Sequence, residues 1–164
     1  MVLIYIIGFF DTGSPLFFQQ RVGKAKQAFT LIKFRTMVFD TESVATHLAK
    51  ASSVTRFGAF LRKTKLDELP QLYNVLLGQM SLVGPRPCLF NQIELVEERD
   101  SRAVYSVRPG ITGLAQINDV DMSTPRKLSR YDHLMVRNMG ICSYFYYIFS
   151  TVFGKGQGDR VKRV

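Results

Sequence analysis

Two hydrophobic spacings divide this chain. Residues 16–37, LFFQQRVGKAKQAFTLIKFRTM, carry the short alternations of strands. They read as LFFQQRV, a loop GKAKQ, and AFTLIKFRTM. In the second strand Phe29, Leu31 and Lys33 share one face and Thr30, Ile32 and Phe34 the other, so Lys33 and Arg35 project the same way. Helical spacing takes over at RFGAFLRKT (56–64), through Phe57, Phe60 and Leu61. It continues in LPQLYNVLLGQM (69–80), through Leu69, Leu72, Val75 and Leu76, with Gly78 as a stop. MSLVGPRP (80–87) is a short apolar run ending in a stiff turn. NQIELVEERDSRAVY (91–105) is a polar, acid-rich helix, and SVRPGITGLAQI (106–117) is extended with two glycine turns. MSTPRKLSRYDHLMVRN (122–138) reads as a helix from Pro125, capped by Ser123 or Thr124.

Three segments are ambiguous. MVLIYIIGFF is uncharged but short of the ~20 residues of a membrane-spanning helix. Its β-branched Val2, Ile4, Ile6 and Ile7 favour a buried strand over an interfacial helix or the end of a longer membrane segment. ICSYFYYIFSTVF (141–153) suits a core helix or an interfacial one equally. Residues 39–52 read as a helix or mobile loop, and 154–164 as a Gly-rich basic tail. GKGQG (154–158) lacks the pattern of a phosphate-binding loop.

Composition narrows the partners. The 164 residues suit one domain, and 46% hydrophobic residues supply a core. Twenty-two Lys and Arg against 13 Asp and Glu leave +9, which calls for an anionic partner: nucleic acid, nucleotide phosphate or an anionic membrane. Cys88 and Cys142 form no CxxC unit, and His47 and His133 are the only histidines, which argues against structural zinc and a disulfide framework.

The stretch TKLDELPQL (64–72) holds the most suggestive chemistry. Thr64 as N-cap with Asp67 at the third helical position would be a variant capping box. Alternatively Asp67 and Glu68 act in a reaction. Helical neighbours point about 100° apart, so the two do not share a proton but can divide roles, one as nucleophile and one as metal ligand or proton handler. Pro70 cannot donate to the carbonyl of Leu66, so a break beside the pair is expected. Arg56, Arg62, Lys63 and Lys65 precede it. Arg86 lies within Gly-Pro-Arg-Pro and Arg108 just before Pro-Gly, where a stiff backbone lowers the entropy lost on gripping phosphate.

SPLFFQQRVGKAKQAFTLIKFRTM, TRFGAFLRKTKLDELPQLYNVLLGQMSLVGPRP and VRPGITGLAQIN, in this order over roughly residues 11–118, resemble the bacterial sugar transferases, the monotopic polyprenyl-phosphate phosphoglycosyl transferases. The resemblance implies an α+β fold, mainly helical with a small β-hairpin or sheet and membrane-associated helices. It implies a catalytic domain over 11–153, flanked by the remnant of a re-entrant membrane helix (1–10) and a basic flexible tail (154–164). It further implies transfer of a phospho-sugar from a UDP-sugar to polyprenyl (undecaprenyl) phosphate, with release of UMP, through a covalent phosphosugar–aspartate. This would be the first membrane step in bacterial exopolysaccharide, capsule or O-antigen (lipopolysaccharide) synthesis. By the same resemblance Asp67 is the nucleophile and Glu68 accompanies Mg2+. Arg86 belongs to a nucleotide-binding motif, Arg62 lies near a phosphate or headgroup, and Lys33, Arg35 and Arg108 are basic positions around the site. The implied location is the cytoplasmic face of the inner membrane, among its lipids, with a homodimer left open and no nucleic acid. An inactive membrane-associated member and a basic nucleic-acid-binding module are the alternatives; the acidic helix at 94–100 speaks against the second.

Overall fold

The strand spacing at 16–37 folds as read. A computed structural model describes residues 1–39 and 53–154, so the expectations for 40–52 and 155–164 lie outside the described residues. Strands β1 (Leu16–Val22) and β2 (Ala28–Phe34) form a two-stranded sheet. Their connection is a single 3-10 turn, Lys24–Lys26, closed by the Gly23 N–H donating to the Gln27 carbonyl at 2.8 Å. Along β2, Phe29, Leu31 and Lys33 are the buried face, as the alternation requires.

The described residues form two compact units: one holds Met1–Gln19 and, among the described residues, 30–39 and 53–73; the other holds Gln20–Phe29 and 74–154. In the first, helix α1 (Val2–Thr12) ends at Gly13, whose φ of 72° lets its N–H reach the Phe9 carbonyl. This overturns the buried-strand expectation for the N-terminus. A helix satisfies its backbone groups internally and needs no partner strand, and that outweighs the weak preference of β-branched residues. Val2, Leu3, Phe9 and Phe10 are exposed, and Gly8 is the helix's buried residue.

Helix α2 (Arg56–Thr64) is capped by Thr55, whose hydroxyl accepts from the Gly58 N–H at 2.8 Å and donates to Asp11 Oδ2 at 2.6 Å. Thr64 is therefore not an N-cap. It ends α2, and its hydroxyl donates back to the Phe60 carbonyl at 2.9 Å. Lys65, at φ 57°, stops the helix. The capping-box reading of Thr64 and Asp67 falls for that reason. α2 lies hard against the chain leaving β2, where the Thr55 N–H donates to the Thr36 carbonyl and Met37 bridges Val54. A Cβ on Gly58 would stand 2.1 Å from the Thr36 oxygen, so only glycine permits this approach.

Helix α3 (Gln71–Leu76) follows Pro70 and stops at Gly78 in the left-handed conformation. Its apolar residues do not form an inward face, since Leu72, Tyr73, Leu76 and Leu77 are all exposed. In the second unit β3 (Ser81–Val83) and β4 (Gly110–Thr112) pair in parallel, Ser81 opposite Gly110 and Val83 opposite Thr112. Helices α4 (Ile93–Asp100) and α6 (Pro125–Arg137) enclose a core of Val22, Cys88, Leu95, Tyr105 and Leu128. Neither expected residue caps α6 through its side chain. Asp121 instead accepts from the Ser123 N–H at 2.9 Å and organises the turn before the helix. The short helix α5 (Leu114–Ile117) was not anticipated. Helix α7 (Ile141–Val152) joins β3 through Tyr144 Oη and Ser81 Oγ at 3.2 Å and buries Tyr147 with Val83 and Met135. The α+β class holds, with seven helices and two small sheets among the described residues. No helix among them is long and apolar enough to cross a membrane.

Two stability predictions follow from the α2 junction. Thr55→Ala removes a real cap and should cost about 1 kcal/mol in urea unfolding, whereas Thr64→Ala should fall within about 0.5 kcal/mol of the parent. Equal losses would restore Thr64 as a cap. Gly58→Ala, read by the same unfolding curves, should cost about 1–3 kcal/mol through overpacking; a neutral result would mean that the Thr36 strand yields freely.

Candidate active site

Asp67 and Glu68 occupy a single 3-10 turn, Leu66–Glu68, between the left-handed Lys65 and Pro70. Each end has a local cause. The αL residue reverses the chain out of α2, and Pro70 prevents the turn from running on into α3. The expected break beside the pair is thus present. Both carboxylates are nearly out of water, Asp67 at 2% and Glu68 at 8% exposure, and both are engaged by neighbouring groups. Two carboxylates are rarely buried side by side without a charged partner or a function.

Of the basic residues that the resemblance places at the site, Lys33, Arg35 and Arg62 share this unit. Arg62, one turn before the pair on α2, donates from Nε to Thr36 Oγ1 at 2.8 Å. The buried Lys33 and the half-buried Arg35 lie over the same ring, Phe17, each 5.4 Å from its centroid, which bears out their common face. Arg35 also stacks on Phe39 at 5.1 Å, and its Nε donates to the Ser14 carbonyl at 2.9 Å. Partial burial lowers the Arg35 pKa from its ordinary value. Two cations over one ring repel each other, so this corner suits an anion.

Arg86 and Arg108 belong to the second unit. Arg86 is half-buried within the turn Pro85–Pro87. Arg108 is exposed, and its guanidinium lies over the Gly78 turn, Nη2 standing 3.6 Å from where a Cβ on Gly78 would be.

For a metal, no three His, Cys, Asp or Glu side chains converge among the described residues. The described residues therefore offer no closed cage. Mg2+ is commonly held by one or two carboxylates, keeps its waters and shares substrate phosphates, and the Asp67–Glu68 turn fits that demand.

One constellation escaped the sequence reading. Arg99 on α4 and Asp132 on α6 form an ion pair at 2.7 Å, with side chains 2% and 0% exposed. Burial opposes both charges. At Arg99 the carboxylate wins and the pKa lies above the ordinary arginine value; at Asp132 burial pushes the carboxyl up while Arg99 pulls against it. The signal was present: Arg99 follows Leu95 by four positions, and Asp132 lies between Leu128 and Met135 on the buried stripe of α6.

Comparison with known proteins identifies the family. The family model described as "Bacterial sugar transferase" matches residues 1–156. The Bacillus subtilis uncharacterized sugar transferase EpsL is 50% identical over 107 residues, covering 65% of this chain and 52% of its own length. The exopolysaccharide production protein ExoY of Rhizobium meliloti is 34% identical over 174 residues, covering 93% of this chain and 74% of its own. The undecaprenyl-phosphate galactose phosphotransferase of Salmonella typhimurium is 37% identical over 161 residues, covering 86% of this chain but 33% of its own. The chain thus spans about half of the first relative and a third of the last. A match along almost the whole sequence, with the acidic pair and both arginine turns inside it, makes this chain a member of the bacterial sugar transferase family.

Proposed function

We propose that this chain moves a phospho-sugar from a UDP-sugar to polyprenyl phosphate and releases UMP. The observation that carries the proposal is the buried Asp67–Glu68 turn, isolated between α2 and Pro70 in a unit that also holds Lys33, Arg35 and Arg62. The names of the Salmonella relative and of an Erwinia amylovora relative, the UDP-galactose-lipid carrier transferase at 34% identity, support the substrate classes.

The mechanism proceeds in two displacements. An Asp67 carboxylate oxygen attacks the phosphorus that bears the sugar. The bond to the bridging oxygen breaks, its electron pair leaves with UMP, and an acyl phosphate remains on Asp67. A phosphate oxygen of the polyprenyl carrier then attacks the same phosphorus. The aspartyl oxygen–phosphorus bond breaks, and the carboxylate returns as the polyprenyl diphosphosugar departs. No net proton transfer is needed. Splitting the transfer lets two bulky, anionic substrates react in turn with one fixed group. Glu68 is the residue to hold Mg2+, which when bound would offset the charge of the diphosphate. Lys33, Arg35 and Arg62 lower the cost of bringing phosphate toward a carboxylate, and Arg86 and Arg108 bind the nucleotide and its phosphates.

A lipid acceptor requires work at a membrane surface, and we place the chain at the cytoplasmic face of the inner membrane. Exposed apolar side chains on α1 (Val2, Leu3, Phe10) and on α7 (Ile141, Phe149, Val152) support that reading, as does the +9 charge.

With reconstituted protein, Mg2+, polyprenyl phosphate and a panel of UDP-sugars, Asp67→Asn should lower UMP release by on the order of 10³-fold or more and abolish the covalent adduct on the intact protein. Glu68→Gln should lower turnover by about 10–100-fold and raise the Mg2+ concentration required. Undiminished activity in Asp67→Asn would remove it as the nucleophile. The full chain should also co-float with phosphatidylglycerol–phosphatidylethanolamine vesicles, and Phe10→Asp with Phe149→Asp should weaken flotation. A chain that stays in the dense fraction whatever the vesicle charge would refute the membrane reading.

A further inference from the structure

The turn Gly84-Pro85-Arg86-Pro87 cannot hold its shape by its own backbone bonds, because its two prolines bring no N–H. Its shape must come from elsewhere, and four consecutive carbonyls show how. The Pro85 carbonyl accepts from the Gly110 N–H at 2.9 Å, and the Cys88 carbonyl from the Val22 N–H at 3.0 Å. Between them, the Arg86 carbonyl accepts from Arg99 Nη1 at 2.8 Å and the Pro87 carbonyl from Arg21 Nη1 at 3.1 Å. The two middle anchors are thus buried guanidinium groups, Arg99 at 1% and Arg21 at 6% exposure.

Arg99 is in turn set from behind. Its Nε and Nη2 both donate to Asp132 Oδ2, at 2.9 and 2.7 Å, which fixes the plane of the guanidinium and leaves Nη1 aimed at the turn. Pro85, Arg86 and Pro87 line a small cleft together with Arg99, Tyr105 and Pro109. A buried ion pair adds little stability over an apolar pair of the same size. Its retention here is better matched to what an apolar pair cannot do, which is to hold a carbonyl.

We propose that Asp132 and Arg99 are positioning residues for nucleotide binding: the pair fixes the carbonyl of Arg86, and with it the direction of the Arg86 side chain toward the diphosphate of the UDP-sugar. This rests on the nucleotide role given to Arg86 above. The class of ligand served is a uridine diphosphate, bound through its phosphates.

The test separates shape from stability. In the full chain, Arg99→Met with Asp132→Leu should melt within a few degrees of the parent, because an apolar pair fills the same space. UDP binding by calorimetry should weaken about tenfold or more. The KM for the UDP-sugar should rise in parallel, with kcat nearly unchanged. Added to Arg86→Ala, the same exchange should cost no further UDP affinity, because a side chain that is absent cannot be misdirected. Should the apolar pair fail to fold, Arg99→Lys carries the same expectation: it keeps a cation for Asp132 but loses the planar fork that reaches both partners. Unchanged UDP affinity in a folded variant, or an equal additional loss on the Arg86→Ala background, would overturn the positioning role. If Arg86→Ala alone leaves UDP binding at the parent level, the nucleotide role of Arg86 fails instead, and the proposal with it.

Discussion

A guanidinium almost out of water, bonded on one side to a carboxylate and on the other to a main-chain carbonyl, sets the logic of the second unit. Arg99 joins α4 to α6 through Asp132, and joins both to the Pro85–Pro87 turn through the Arg86 carbonyl. Remove either member of the ion pair alone and a buried charge is left unanswered, which is among the costliest defects a core can carry. The helices and the turn are therefore not independent choices. The same economy appears at Arg35, whose Nε reaches the Ser14 carbonyl, and at Arg21, which reaches that of Pro87. Proline- and glycine-rich segments cannot satisfy their own backbone, and in this fold arginine does it for them.

That division of labour changes the meaning of the net charge. A surplus of +9 signals an anionic partner, but part of it is spent inside the protein. Arg21 and Arg99 are buried against carbonyls, whereas Arg108 is exposed. Counting basic residues would have overstated the cations facing solvent. Locating them shows that the structural arginines hold the turn that carries the arginine read as functional, so charge and rigidity are supplied to one place together.

The parts of the fold that were legible in the sequence are those whose cause is local. The hairpin follows from alternation, with Lys33 on the buried face beside Phe29 and Leu31. The limits of α3 follow from Pro70 before it and Gly78 after it. What the sequence hid has causes far along the chain. Thr64 looks like a cap until Lys65 adopts a positive φ and ends the helix behind it. Arg99 looks like one more charge in an acidic helix until Asp132, 33 residues on, arrives to pair with it. The N-terminal segment differs for another reason: its β-branched residues state a weak strand preference, and no strand among the described residues takes it up. The acidic pair itself was visible as a motif, but its burial was not, because burial is a property of what packs around it.

The 3-10 turn that carries the pair deserves its own physical reading. In a long helix, Asp67 and Glu68 would be held by bonds on both sides and splayed by about 100°. Here α2 has already stopped and α3 has not begun, so the pair stands on a short element clamped at each end by a residue with a restricted φ, Lys65 before it and Pro70 after it. Such a turn is stiff without being part of a longer helix. Its two side chains are set by the junction rather than by helical phase. For two-step group transfer that is a useful compromise. In the two-displacement reaction proposed above, the carboxylate would keep its position while one anionic partner leaves and another takes its place, and a site fixed by its ends changes little when the groups around it change.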